Sequence, residues 1–350
     1  MNIEKKETSS KKWLNEVSFM RPILLVLLVS YHAFAPWVGS WPLMEGVHEV
    51  ESYRWIGLLS RAFRLEGFVF ISGYIFTFQI EEKHKFNSLG SLIKSKLERL
   101  ILPSIFFSAL YIYLFLDYKS VWHLLLRSVN GEAHLWYLPC LFWCFIIQYV
   151  ILKRGIHSKL LLPFFVVGIF VSFIHLPMHL NKALYYICFF YGGGMFWKFS
   201  HVIAKYSSIK SCIISWIIFA SCFFLATVAI EIIKDNGRIV NNLFVQGCSM
   251  GLNNIIKAIL GWSGIYALYI SSVLWCKNNK INDTVIKIGT CGYGVYVFHQ
   301  FILVYLYRYT SLPVEIGTYA LPWFGFVVTT IISICLTLLV RQTKIGRRYL

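Results

Sequence analysis

The 350-residue chain is 57% hydrophobic and 18% aromatic but only 14% charged, with a mean hydropathy of +0.63; this excludes an ordinary soluble domain and describes a polytopic membrane protein. Its formal net charge of +17 would suit nucleic acid only if concentrated on one soluble face, and membrane topology accounts for it instead. The nine cysteines lie mostly inside apolar runs, without a CxxC pair or zinc-like His spacing, so they read as small buried hydrophobes and no metal is implied.

In chain order, residues 1–18 read as a retained cytosolic lead-in, because they contain acidic residues and no small-residue cleavage site follows their apolar run. The membrane domain follows over 19–340, and 341–350 form a cytosolic tail. Apolar runs predict helices near 19–38, 58–80, 100–117, 135–152, 160–176, 183–199, 211–231, 255–276, 288–307 and 319–340. Starting inside, twenty-two of the 33 basic residues fall on one side of the membrane and the outer loops are near neutral. The positive-inside rule then puts both termini in the cytosol, with attraction to anionic membrane lipid as a by-product. The expected fold is all-α, one membrane domain of about ten transmembrane helices.

The first run, FMRPILLVLLVSYHAFAPWV, carries Arg21 near its start and His32 deep inside. Eleven residues return to within ~20° of the same helical face, some 16 Å further on, so the two share one stripe. Pro22 is tolerated in a first turn. An imidazole halfway across hydrocarbon is costly and marks a functional position; the alternative is a His that only hydrogen-bonds a neighbouring helix. The loop at 39–57 contains Trp41, Glu45, His48, Glu49 and Glu51 and reads most simply as solvated, with an interfacial Trp.

In the second run, SRAFRLEGFVFISGYIFTFQI, Glu66 lies about 21 Å above the cytosolic end, a depth similar to that of His32. A carboxylate there would hold the His ring in one tautomer; alternatively, Glu66 neutralises Arg61 or Arg64. Ser72-Gly73 permits close helix contact. Before the third helix, Lys96 and Arg99 are three apart and project from one helical face, which suits a phosphorylated ligand and equally suits lipid head groups or topology. His134 and Trp136 in GEAHLWYLPCLFW stand at the outer interface. The loop residues His175, His179, Glu231, Asp235 and Arg238 are polar and unranked, and 236–257 is amphipathic and suits the interface. In GTCGYGVYVFHQFIL, His299 is a second intramembrane His, near the level of His32.

Five blocks in order resemble the acyltransferase-3 family of ten-helix bacterial membrane acyltransferases. Arg21, ten residues and His32 match its first-helix hallmark. EGFVFISGYIF matches its second block, with Glu66 where Asp is more usual, and KLERLILP matches a cytosolic R-x-x-R, with Lys96 in place of the first Arg. HLWYL resembles the block opening the fourth helix, and GTCGYGVYVFHQFIL the block near the C-terminus. The matches run from about residue 19 to 306, with the middle helices alike only in hydropathy.

The resemblance implies O-acylation in the bacterial inner membrane. The donor is acyl-CoA, most often acetyl-CoA, used as co-substrate with no bound cofactor. The acceptor is a hydroxyl of a cell-surface polysaccharide or its lipid-linked precursor. An alcohol is a poor nucleophile and needs a base near neutrality, and His suits that. The implied roles are His32 as base or acyl carrier, Glu66 as its orienter, and Arg21, Lys96 and Arg99 as acyl-CoA contacts. Ser72, His134, Trp136 and His299 line the substrate path. The rival reading is a glycan exporter or flippase, which also suits a buried polar stripe but lacks the paired broken helices or inverted halves of transporters.

Overall fold

The computed structural model describes residues 14–154, 161–171, 174, 176–239, 243–279 and 283–349, and every regular element among them is a helix. The longer ones are α1 Asn15–Ala33, α2 Glu51–Arg61, α3 Arg64–Glu81, α4 Leu89–Lys96, α5 Leu102–Phe115, α6 Val121–Asn130, α7 Tyr137–Arg154, α8 Leu161–Val171 and α9 Leu180–Lys198. After the short α10, Ser200–Tyr206, come α11 Ile209–Ile239, α12 Leu243–Asn278, α13 Asp283–Arg308, α14 Leu312–Val340 and the terminal α15, Lys344–Tyr349. Among the described residues six stretches are long and apolar enough to cross a membrane: Asn15–Ala33, Leu89–Phe115, Ala133–Lys153, Ile209–Ile233, Gly247–Lys277 and Leu312–Val340. Helices also stand where the other four spans were expected. The second, α3, falls outside the six because it carries Arg64, Glu66 and Glu81.

Local chemistry explains where the helices break. The first span ends at Ala33 instead of near residue 38: Pro36 disfavours helix at Ala35, and the chain turns back through Gly39 at φ +71°. The orphan carbonyl of Ala33 accepts from the Tyr307 hydroxyl at 2.9 Å. The expected second span is two helices, broken at Phe63, with φ −148°. Leu97–Ile101 is a π-helical turn joining α4 to α5. Pro103 supplies no N–H to the carbonyl of Arg99 four residues back, and the Tyr293 hydroxyl donates to that carbonyl at 3.0 Å.

The helix α1 is central and packs against α2, α3, α12, α13 and α14. Within a bilayer the lipid is as apolar as the helices, so tight association comes from close packing at small residues. On α3 and α9 that packing is reciprocal. A Cβ added at Gly73 would lie 1.8 Å from the Phe190 carbonyl oxygen, and one at Gly193 would lie 2.0 Å from that of Phe70. On α13, Gly294 similarly admits Thr337 of α14. These contacts fix the helices that carry the polar residues described next.

Candidate functional site

Three histidines from distant parts of the chain meet in the interior. His32 stands in the last turn of α1, His134 on the 3-10 turn Ala133–Trp136, and His299 in the middle of α13. The His299 ring centroid is 4.8 Å from that of His32 and 4.9 Å from that of His134, and all three residues are buried. His299 Nδ1 is 3.0 Å from the Val295 carbonyl oxygen and 2.7 Å from that of Tyr296. Carbonyls only accept, so Nδ1 carries the hydrogen and Nε2 keeps its lone pair. That Nε2, like Nδ1 of His32, is buried without a hydrogen-bond partner among the described residues. His134 is held differently. Its Nε2 donates to the Val297 carbonyl at 3.0 Å, its backbone N–H to Gln300 Oε1 at 3.1 Å, and its carbonyl accepts from the Tyr296 hydroxyl at 2.5 Å. Ala133 before it adopts a left-handed φ of +50°, which for a residue with a Cβ costs of order 1–3 kcal/mol and is sustained only by surroundings as constrained as these.

Two cavities flank the trio. The first, about 430 Å³, is lined at one end by Arg21, Gly289 and Thr290, continues past Ser72 of α3, and reaches Tyr137 and Tyr296. Its walls are otherwise Leu, Ile and Phe side chains together with Gly292 and Tyr293. Tyr296 ends this cavity, and its ring packs on both His134 and His299, with centroids 5.4 and 6.3 Å apart. The second cavity, about 350 Å³, is polar: Arg54, Arg61, Arg64 and Lys257 line it with Glu66 and Glu231. Tyr31, whose ring centroid is 4.9 Å from that of His32, lines it too, beneath the Arg64 guanidinium at 3.7 Å. Leu65 lines both cavities. The histidines line neither; each cavity stops one side chain short of them.

The loop after α1 folds over His32. Trp41 packs with its ring centroid 6.0 Å from that of His32 and the Arg308 guanidinium 5.7 Å from its own, and Ser40 shares a 2.7 Å hydrogen bond with the Tyr31 hydroxyl. Glu45, His48, Glu49 and Glu51 of this segment are exposed, as a solvated loop requires, while its Trp41 packs against His32. Nothing in a one-dimensional pattern distinguishes a Trp at a membrane interface from a Trp folded back onto a buried imidazole.

The structure brings together some of the expected site residues and separates others. His32, His134 and His299 form one cluster, so His134 is a buried member of it instead of an outer-interface residue. Arg21 and Ser72 line the apolar cavity, where Ser72 Oγ also donates to the Phe68 carbonyl at 2.8 Å. Glu66 is buried, but no hydrogen bond joins it to His32 among the described residues; Glu66 faces the polar cavity within electrostatic reach of Arg64 and Lys257. Lys96 and Arg99 do not share a surface. Lys96 Nζ sits 3.4 Å from the Phe145 ring centroid, with Phe76 and Phe86 beyond, while Arg99 is exposed. The π turn between them adds a residue to the helical cycle and breaks the three-residue spacing that put them on one face. Trp136 lies outside the trio, beneath Lys182 Nζ at 3.8 Å and beside His179. Glu231 pairs with Arg54. His175 and the side chains of Asp235 and Arg238 lie outside the described residues.

The residues that sequence reading missed are Tyr296, Tyr31, Arg64 as a cavity wall, and Trp41. Tyr296 had one available signal: it is three residues before His299 and therefore one helical turn away on nearly the same face. Among the described residues no group of three or more His, Cys, Asp or Glu side chains has the geometry of a metal site. The trio is a buried set of imidazole nitrogens, with an apolar cavity on one side and a charged cavity on the other.

A family model described as "Acyltransferase domain", that of the acyltransferase-3 family, matches residues 14–341. No curated protein and no solved structure matches the chain.

Proposed function

The chain belongs to the acyltransferase-3 family and is a membrane acyltransferase, and from that premise we propose that it transfers an acyl group, acetyl in the simplest case, from acyl-CoA on the cytosolic side of the bacterial inner membrane to a hydroxyl of a cell-surface glycan or its lipid-linked precursor. The observation that carries this reading is the apolar cavity running from Arg21 to Tyr296, whose ring packs on His134 and His299. Its length suits an extended thioester arm: Arg21 and His32 are eleven residues apart on one continuous helix, about 16 Å. Arg21 at the cavity's far end offers a guanidinium to the anionic part of CoA.

In this reading the thioester carbonyl advances past Tyr296 to the level of His32. The acceptor hydroxyl attacks that carbonyl as an imidazole nitrogen takes its proton; the carbon–sulfur bond then breaks and CoA leaves as the thiol, receiving that proton. His32 serves either as the base in one direct transfer or as the carrier of the acyl group between two transfers. Fixing the His299 tautomer with two carbonyls keeps an acceptor nitrogen directed away from the backbone, beside His32, which supports a role for His299 in holding the His32 proton or the acceptor.

Purified protein in lipid, supplied with acetyl-CoA and glycan fractions of its host, should release free CoA in an acceptor-dependent manner. No release with any common acyl-CoA, from protein shown to be folded, would turn the reading towards glycan export. For the donor end, Arg99→Ala should raise the KM for acyl-CoA severalfold with a smaller change in kcat, as loss of a ground-state contact requires. An unchanged KM would return Arg99 to a topological role.

A further inference from the structure

The polar cavity is unlike what membrane topology would leave on this side of the protein. Basic residues gather on the cytosolic side by the positive-inside rule, yet Arg54, Arg61, Arg64 and Lys257 line a single 350 Å³ space at the opposite end of the bundle from Arg21. Two carboxylates, Glu66 and Glu231, face them, and Glu231 is committed to Arg54. Arg64 is 93% buried by its 7% exposure, with its Nε unpartnered among the described residues. A desolvated guanidinium with an unmet donor is expensive unless an anion reaches it.

We infer that this cavity is the acceptor site and selects a hydroxylated ligand that carries an anion, an acidic glycan. The inference rests on the acyl-transfer reading for the word acceptor, but the charge selectivity stands on the cavity alone. The volume lies at the small end of the range for small-molecule sites, enough for the end of a saccharide and not for a folded partner. Arg64 and Tyr31 connect it to the chemistry. The guanidinium lies over the Tyr31 ring, and that ring packs edge-on against His32. An anion held by Arg61 and Arg64 therefore fixes the sugar with a neighbouring hydroxyl directed towards His32. Leu65, shared by both cavities, is the wall such a hydroxyl would pass to meet the thioester. The anion is either a carboxylate on the sugar or the phosphate that links a glycan to its lipid.

The test is direct binding to the full-length protein in phosphatidylcholine nanodiscs, without acyl-CoA. Labelled hexagalacturonate should bind at least about tenfold more tightly than labelled maltohexaose, the worth of one charge-assisted hydrogen bond, and should weaken as salt rises. Arg61→Gln and Arg64→Gln should each erase most of that preference, and Arg64→Lys should restore part of it. Arg64 is buried, where a substitution also disturbs packing, so the half-buried Arg61 decides. Competition by pyrophosphate at lower concentration than by free galacturonate would assign the anion to a phosphate linkage, and the reverse order to a sugar carboxylate; either supports the site. Equal binding of the neutral and acidic oligosaccharides, or wild-type preference in folded Arg61→Gln, would overturn it. Charge-selective binding without CoA release would leave this cavity assigned and remove the acyl-transfer reading. CoA release without charge selectivity would do the opposite.

Discussion

Replacing His32 with alanine should reduce acceptor-dependent CoA release by roughly 10²–10⁴-fold, the range for losing a positioned general acid or base, while the protein inserts at normal abundance. The size follows from the surroundings. In the proposed reaction the thioester approaches from the apolar cavity and the hydroxyl from the polar one, and water is a poor substitute for a base where rings from Tyr31, Trp41 and His299 crowd His32. Among the described residues His32 Nδ1 has no hydrogen-bond partner to lose, so their packing does not depend on that nitrogen. The alanine change also opens a cavity, which by itself costs stability. His32→Gln, which preserves most of the volume, separates the two effects: it should melt close to wild type and still fail to transfer. A glutamine or alanine variant that acylates near the wild-type rate would remove His32 from the mechanism.

The second large effect is on folding. Gly73→Ala places a methyl carbon 1.8 Å from the Phe190 carbonyl oxygen, and Gly193→Ala places one 2.0 Å from that of Phe70. Both obstacles are backbone, so no rotamer change relieves them and α3 and α9 must separate. Overpacking of this kind costs about 1–3 kcal/mol or more, which lowers a melting temperature by roughly 1–4 °C at this chain size. Gly247→Ala, where a Cβ meets nothing within 4 Å, is the control and should be neutral or slightly stabilising because alanine is the better helix former. Thermal unfolding in detergent, read side by side for the three variants, checks this. Equal melting temperatures would show that the α3–α9 approach is looser than its geometry.

Separation of α3 from α9 should also reach activity, since α3 carries Ser72 and Leu65 into the apolar cavity and Arg64 and Glu66 into the polar one. The fold and the site are coupled through the same helix.

Much of this arrangement was legible in the chain. Hydropathy located the helices, because crossing hydrocarbon demands a long run of apolar residues with every backbone group satisfied internally. Helical periodicity put Arg21 and His32 on one stripe, and the cost of a buried imidazole singled out His32 and His299, whose rings meet in the interior. The ordered motif blocks identified the family. These are properties of single segments, and local rules suffice for them.

Only the tertiary structure decided which polar groups meet. Depth along a helix predicted that Glu66 would serve His32, but depth says nothing of azimuth, and α3 turns Glu66 towards Arg64 and Lys257. His134 read as interfacial because it precedes its helix; a strained turn at Ala133 and three hydrogen bonds draw it inward beside His299. Lys96 and Arg99 part because Pro103 removes one N–H and a π turn intervenes. The sequence by itself determined the membrane class, the helices and the family, since those follow from period and composition. The partners of each buried charge depended on how helices distant in sequence rotate against one another, and that rotation is set by close packing at residues such as Gly73 and Gly193, whose effect appears only when both helices are in place.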